Sequence, residues 1–122
     1  SDLGEDFEVQ ENEIGYTKFY WIVMGRFNIS LSEAMLMALI YSLSKGRKAK
    51  GWCWASKETL AKKLKISRQT VHNHLRKLRH KHDFIRFGKT RNGVKLIGSS
   101  NRWNQLMARI DGVYEERAND NR

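Results

Sequence analysis

Thr59-Leu-Ala-Lys-Lys-Leu-Lys-Ile-Ser-Arg-Gln-Thr-Val-His-Asn-His-Leu-Arg-Lys-Leu78 reads as the end of one short helix, a tight turn, and a second helix. Ser56 stands where an N-cap belongs for the first of the two, and Leu60, Ala61 and Leu64 form its inner face. Lys65-Ile66 makes a brief turn to Ser67, a second N-cap. The next helix then runs from Arg68 to about Lys81. Val71, Leu75 and Leu78 recur on it at i, i+4 and i+7, the spacing of a single buried stripe. Each apolar position has a packing reason. Ala61 is small, so the later helix can cross close to the earlier one. Leu64 and Ile66 fill the space under the turn, and Val71 and Leu75 lock the later helix down.

Upstream, Ser30 and Glu33 form a Ser-x-x-Glu capping box in which each side chain satisfies the other's free backbone N–H. The helix that it opens, Leu31 to Ser44, carries Leu36, Leu39, Ile40 and Leu43 at helical spacing, and Gly46 is expected to end it. A charged loop leads to Trp52-Cys53-Trp54, short enough for one small strand. Tyr16 to Phe27 is dense in aromatic and β-branched residues and reads equally as a short strand or a buried helix. Residues 1–13 are acidic and aperiodic, a flexible acidic arm.

Downstream, two β-rich runs, 84–87 and 94–97, flank a turn that contains Asn92-Gly93, a strong hairpin signal because both residues tolerate positive φ. Residues 101–117 form a closing amphipathic helix with Trp103, Leu106, Met107 and Ile110 as its stripe, and Gly112 weakens its far end. Residues 118–122 are expected to be a disordered tail. The whole of 14–117 is then one domain, mainly α with a small β-hairpin.

Capped helices joined by a tight turn and followed by a basic hairpin resemble a winged helix-turn-helix. The resemblance implies a three-helix core, the hairpin as wing, and an additional C-terminal helix. In the turn, where that family often has Gly, this chain has Lys65. A lysine held there in the left-handed conformation costs about 1 kcal/mol, so the turn is expected to be built differently.

Charge is distributed unevenly. Residues 1–44 carry two basic residues against seven acidic, and 96–122 carry four of each. Residues 45–95 carry seventeen Lys and Arg against only Glu58 and Asp83, a local net charge of +15 within an overall +10. Such a block calls for a polyanion, and with the helix pair and hairpin it points to double-stranded DNA.

At about 100° per residue, the face of the 68–81 helix opposite its buried stripe centres on Asn73. Gln69 and Arg76 flank it, and His72, Thr70 and Lys77 lie further round. Arg suits guanine and Asn or Gln suits adenine in a major groove, so Gln69, Asn73 and Arg76 are the candidates for reading bases. Ser67 and Arg68, at the positive start of the helix, suit a phosphate. Lys57, Lys62 and Lys63 on the preceding helix are further phosphate candidates. On the wing, Lys89, Arg91 and Lys95, with Arg86, complete the basic set, and Arg91 at the tip is placed to reach the backbone or the minor groove.

Enzyme chemistry finds no support. His72 and His74 are two apart on a helix and point in nearly opposite directions, so they do not share a metal. His80-x-His82 has no completing cluster, and no phosphate loop or paired-carboxylate site is present. No metal or other cofactor is expected. The single Cys53, between two tryptophans, reads as a buried thiol in a reducing cytoplasm. No apolar run is long enough to span a membrane, and no signal-peptide pattern opens the chain. A start at Ser1 is what a trimmed tag or an excised domain leaves.

Leu31-Ser-Glu-Ala34, Gly51-Trp-Cys-Trp-Ala-Ser56 and Glu58-Thr-Leu-Ala-Lys-Lys-Leu-Lys-Ile-Ser-Arg-Gln-Thr-Val71 are similar to the winged-helix domains of bacterial phage and plasmid replication initiators and organisers. That resemblance implies origin binding and partners such as a helicase or its loader. Transcriptional regulators, and accessory proteins of conjugation, are the alternatives. The C-terminal helix, where it does not cover its own core, is the expected face of a homodimer.

Overall fold

The computed structural model describes residues 22–120, with side chains as far as Ile110. The acidic arm and residues 16–21 of the strand-or-helix segment lie outside the described residues. Residues 22–27 are helical, which settles that part of the segment. Four further helices and one hairpin follow: α1 (Leu31–Ser44), α2 (Lys57–Leu64), α3 (Arg68–His80), β1 (Ile85–Lys89), β2 (Lys95–Ser99) and α4 (Asn101–Asp120).

The three serines expected as caps do that work. Ser30 accepts from the Glu33 N–H and the Glu33 carboxylate returns the bond, completing the capping box. Ser56 accepts from the Thr59 N–H, and Ser67 from the Thr70 N–H. Gly46 does not end α1 in a left-handed cap. Lys45 closes the helix in a right-handed conformation with its N–H on the Ser42 carbonyl. The helix tightens at its last turn instead, so the special backbone freedom of glycine is not used there.

The turn between α2 and α3 also differs from expectation. Lys65 does adopt the left-handed conformation, at φ 56° and ψ 42°. Its N–H reaches back to the Ala61 and Lys62 carbonyls, and the Ile66 N–H bonds the Ala61 carbonyl at 3.1 Å. Backbone hydrogen bonds that close the end of α2 hold the lysine in place. Lys65→Gly should therefore remove about 1–2 kcal/mol of backbone strain. The greater freedom of glycine in the unfolded chain takes back about 0.4–1 kcal/mol. A net gain of up to about 1.6 kcal/mol should appear as a higher urea midpoint, and a lower midpoint would contradict this reading of the turn.

The hairpin is antiparallel, with Ile85 opposite Ser99, Phe87 opposite Ile97 and Lys89 opposite Lys95. At its tip the Thr90 N–H bonds the Val94 carbonyl, and Gly93 alone takes positive φ, at 81°. This is a three-residue loop of the kind that ends in a left-handed glycine, and Asn92 is not in the left-handed region. Trp52-Cys53-Trp54 contributes a single bridge, Cys53 to Ile97, in place of a full strand. Phe84, expected within the first strand, precedes it.

The core lies between the helices and the inner face of the hairpin. Leu36, Met37 and Ile40 of α1, Leu60 of α2, and Val71, Leu75 and Leu78 of α3 are buried together. Cys53 is buried with them, and burial pushes its thiol pKa up. Phe84 is the hub of an aromatic cluster. Its ring meets Phe27 edge-on at 5.0 Å and Trp103 at 4.9 Å, and it stacks on His82 at 5.4 Å. Burial first, then Lys81 and Lys77, hold the His82 imidazole below its usual pKa, and Glu33 acts in the opposite sense.

α4 begins at Ser100, whose hydroxyl accepts from the Trp103 N–H and donates to the Asp83 carbonyl at 2.6 Å. Trp103 and Met107 are buried, with Leu106 and Ile110 packed against the core. The helix continues through Gly112 to Asp120. Residues 118–120, assigned to a disordered tail, are thus helical. One glycine costs about 1 kcal/mol in a helix, too little to stop it here. Among the described residues no helix is long and apolar enough to cross a membrane.

Candidate nucleic-acid interface

α3 buries Val71, Leu75 and Leu78 and exposes Gln69, Asn73, Arg76 and His80, a stripe with helical spacing. Two ties hold it from behind. Ser32 of α1 meets His74 Nε2 at 2.9 Å, and Lys77 Nζ lies 3.1 Å from the Glu33 carboxylate. Burial alone would raise the Glu33 pKa. The Lys77 ammonium and the Ser30 hydroxyl and N–H outweigh it, so the carboxyl sits below its usual range. Lys77, predicted to lie toward the DNA-facing side, is therefore turned to α1 and set aside from the exposed stripe.

Twelve of the seventeen cations of residues 45–95 fall into two groups, and Arg47, Lys48, Lys50, Lys65 and Lys81 are exposed and lie outside both. Lys45 lies over the Tyr41 ring, Lys57 bonds His72, Arg68 pairs with Glu58, Lys77 with Glu33, and Arg79 with Asp83. Arg86 stacks on Trp52 at 3.8 Å and donates to the Ser99 and Gly51 carbonyls. Its guanidinium is thus built into the foot of the wing and withdrawn from the basic set. A side chain at Gly88 or Gly98 would strike the Trp52 indole, so both glycines clear the plate on which that ring lies. In contrast, Lys62, Lys63, Arg76, Lys89, Arg91 and Lys95 are exposed and have no ion-pair partner among the described residues. They lie on α2, α3 and the wing.

At the start of α3 lies an open depression of about 340 Å³ lined by Lys57, Arg68, Gln69 and His72. The Ser67 hydroxyl, a predicted phosphate ligand, already accepts the Thr70 N–H and lies 2.7 Å from Thr70 Oγ1. Both predicted residues are therefore engaged in capping. Arg68 bonds Glu58 at 2.8 Å, but both side chains are more than half exposed. Such a pair is worth little in water and can be exchanged for a phosphate at small cost. Lys57 Nζ lies 3.0 Å from His72 Nδ1. The Lys57 charge first, then desolvation, Arg76 and Arg68, hold His72 below its usual pKa.

Gln69 Nε2 donates to Asn73 Oδ1 at 3.1 Å. This bond aligns the two amides and leaves the Gln69 carbonyl oxygen and the Asn73 amide hydrogens directed away from it, an acceptor beside donors. Sequence reasoning places both residues on this face without pairing them, although their i, i+4 spacing is the signal for it. Among the described residues no group of three or more His, Cys, Asp or Glu could hold a metal ion.

A family model described as a helix-turn-helix domain matches residues 28–82, the segment that spans α1, α2 and α3. Among solved structures, the chain is similar to MepR, a transcription regulator of the Staphylococcus aureus multidrug efflux pump MepA. The identity is 18%, with 89% of this chain and 74% of that chain covered and a TM-score of 0.58. A MepR–DNA complex from S. aureus matches at 18% identity over 84% of this chain and 79% of that one, TM-score 0.58. An S. aureus MepR mutant bound to an oligodeoxyribonucleotide matches at 16% identity over 93% and 82%, TM-score 0.61. No curated protein matches the sequence. At these identities the likeness is one of fold, and it agrees with the element order. The chain has the winged helix-turn-helix fold, with α2 and α3 as the helix-turn-helix and β1–β2 as the wing.

Proposed function

We propose that this domain binds double-stranded DNA sequence-specifically as part of a transcription regulator. α3 enters the major groove, and the wing lies on the backbone or in the adjacent minor groove. The observation that carries the reading is the sorting of cations. Lys77, Arg79 and Arg86 are committed to contacts within the fold. Lys62, Lys63, Lys89, Arg91 and Lys95 are exposed without an ion-pair partner among the described residues. They lie on α2 and the wing, the elements that precede and follow the exposed Gln69–Asn73–Arg76 stripe of α3. An unpartnered cation loses nothing within the protein when it meets a phosphate, and it releases counterions from the DNA. Gln69, Asn73 and Arg76 then read base edges. Lys62, Lys63, Lys89, Arg91 and Lys95, with Arg68 and Lys57, position the duplex. The solved MepR structures support the regulatory reading, since one is described as a transcription regulator and others hold DNA.

Replication initiation is the second reading, favoured by the three sequence segments at 31–34, 51–56 and 58–71. Duplex fragments of the source genome, selected by this domain and sequenced, separate the two. An inverted repeat over a promoter supports a regulator acting as a pair of copies. Short direct repeats beside an AT-rich tract replace it with an initiator that recruits a helicase or its loader. No enrichment of any sequence would overturn both.

Removing Lys89 and Arg91 together should weaken binding to every duplex. Two lost phosphate contacts should also reduce the slope of log Kobs against log salt by about 1.8. An unchanged slope in a salt titration would place the wing off the DNA.

A further inference from the structure

We infer that the cleft at the start of α3 is a seat for one backbone phosphate and that His72 takes up a proton when the seat is filled. The inference rests on the DNA-binding reading and adds a ligand chemistry and a proton to it. Three observations carry it. The cleft is lined by Lys57, Arg68, Gln69 and His72, three of them able to donate to an oxyanion and the fourth able to gain a second donor at Nδ1. Lys57 stands 3.0 Å from His72 Nδ1, so in the free protein that nitrogen accepts from the ammonium and the ring is neutral. Arg68 is held only by an exposed pair with Glu58 and can turn to a phosphate.

The charged groups around His72 come from both packed helices. α2 brings Lys57 and, through its pair with Arg68, Glu58. α3 brings Arg68 and Arg76. In the free domain the cations, Lys57 first, disfavour the imidazolium. A phosphodiester oxygen in the cleft reverses that field. Lys57 shifts its hydrogen bond to the phosphate. His72 Nδ1 loses its donor, takes a proton from water, and donates to the same phosphate. The imidazolium is then favoured by an adjacent anion where it was disfavoured by cations. One proton is bound per phosphate seated, so affinity rises as pH falls. The limiting change is about tenfold per pH unit between the two pKa values of His72, free and bound.

The test compares the wild-type domain with His72→Gln on one random-sequence 20-bp duplex, at constant ionic strength, from about pH 5.5 to 8. Gln still donates a hydrogen bond but does not titrate. The wild type should tighten several-fold more than the variant as pH falls, and the two should converge near pH 8. His74, His80 and His82 are common to both proteins, and their contribution cancels in the comparison. His72→Lys, with a fixed charge, should bind at pH 8 about as tightly as the wild type does near pH 6. Imidazole NMR signals should show the pKa of His72 raised by the duplex. Parallel pH profiles for wild type and His72→Gln, or a His72 pKa that the duplex leaves unmoved, would overturn the inference while DNA binding stands. A rise with inorganic phosphate but none with the duplex would overturn the assignment to backbone phosphate. No binding to the duplex at any pH would remove the DNA-binding reading and this inference with it.

Discussion

Phe84→Ala should cost about 3–5 kcal/mol of folding stability. Phe84 is fully buried, and three rings close on it from separate parts of the chain: Phe27 from the opening helix, His82 from the link after α3, and Trp103 from α4. Deleting the ring leaves a void that none of these can fill without leaving its own contacts. A domain of this size is stable by about 5–15 kcal/mol in total, so the loss is a large fraction of that. Urea unfolding followed by tryptophan fluorescence measures it. A loss below about 2 kcal/mol would mean that the cluster collapses into the space and that Phe84 is not its hub. The effect reaches the wing as well, because the Phe84 backbone is fixed on both sides. Its N–H bonds the Leu78 carbonyl of α3, and its carbonyl accepts from Ser100, the residue that begins α4.

The largest expected effect on binding is at Arg76. Arg76→Ala should cost about 1–3 kcal/mol on the selected site, roughly 5- to 150-fold in Kd, and should relax preference at one base pair. Arg76 stands apart from its neighbours on the stripe. Gln69 and Asn73 partly satisfy one another, whereas Arg76 is exposed with no ion-pair partner among the described residues. Binding to the selected duplex and to duplexes with single base-pair changes makes the distinction. An equal loss on all of them would show that Arg76 touches only the backbone.

What is legible in the sequence follows the reach of the interactions. Ser30, Ser56 and Ser67 each cap through a contact three residues away, and the apolar stripe of α3 repeats within two turns. Local signals of that kind place those helices closely. Lys65 is legible as a departure but not as to outcome. Whether a non-glycine residue accepts the left-handed conformation depends on the carbonyls waiting behind it, here those of Ala61 and Lys62. The binding face is legible in its residue types. Which of its cations are already committed is not, because their partners are far away in sequence. Lys77 meets Glu33 across 44 residues, His74 meets Ser32 across 42, and Arg86 meets Gly51 across 35. Those contacts withdraw Lys77 and Arg86 from the basic set, and no local pattern announces them.

The foot of the wing bears on the kinetics of the encounter. Trp52 lies on a surface cleared by Gly88 and Gly98, Arg86 closes over it, and the Cys53–Ile97 bridge ties the strand beside it. A hairpin braced in this way has its shape before DNA arrives, so capture needs no slow ordering step. If the domain binds DNA as proposed, the speed of association would be governed by long-range attraction between the free cations and the duplex, and it would fall as salt is added. On the proposed reading, discrimination between sites would reside in residence time, in how long the α3 stripe holds a given set of base edges before the complex parts.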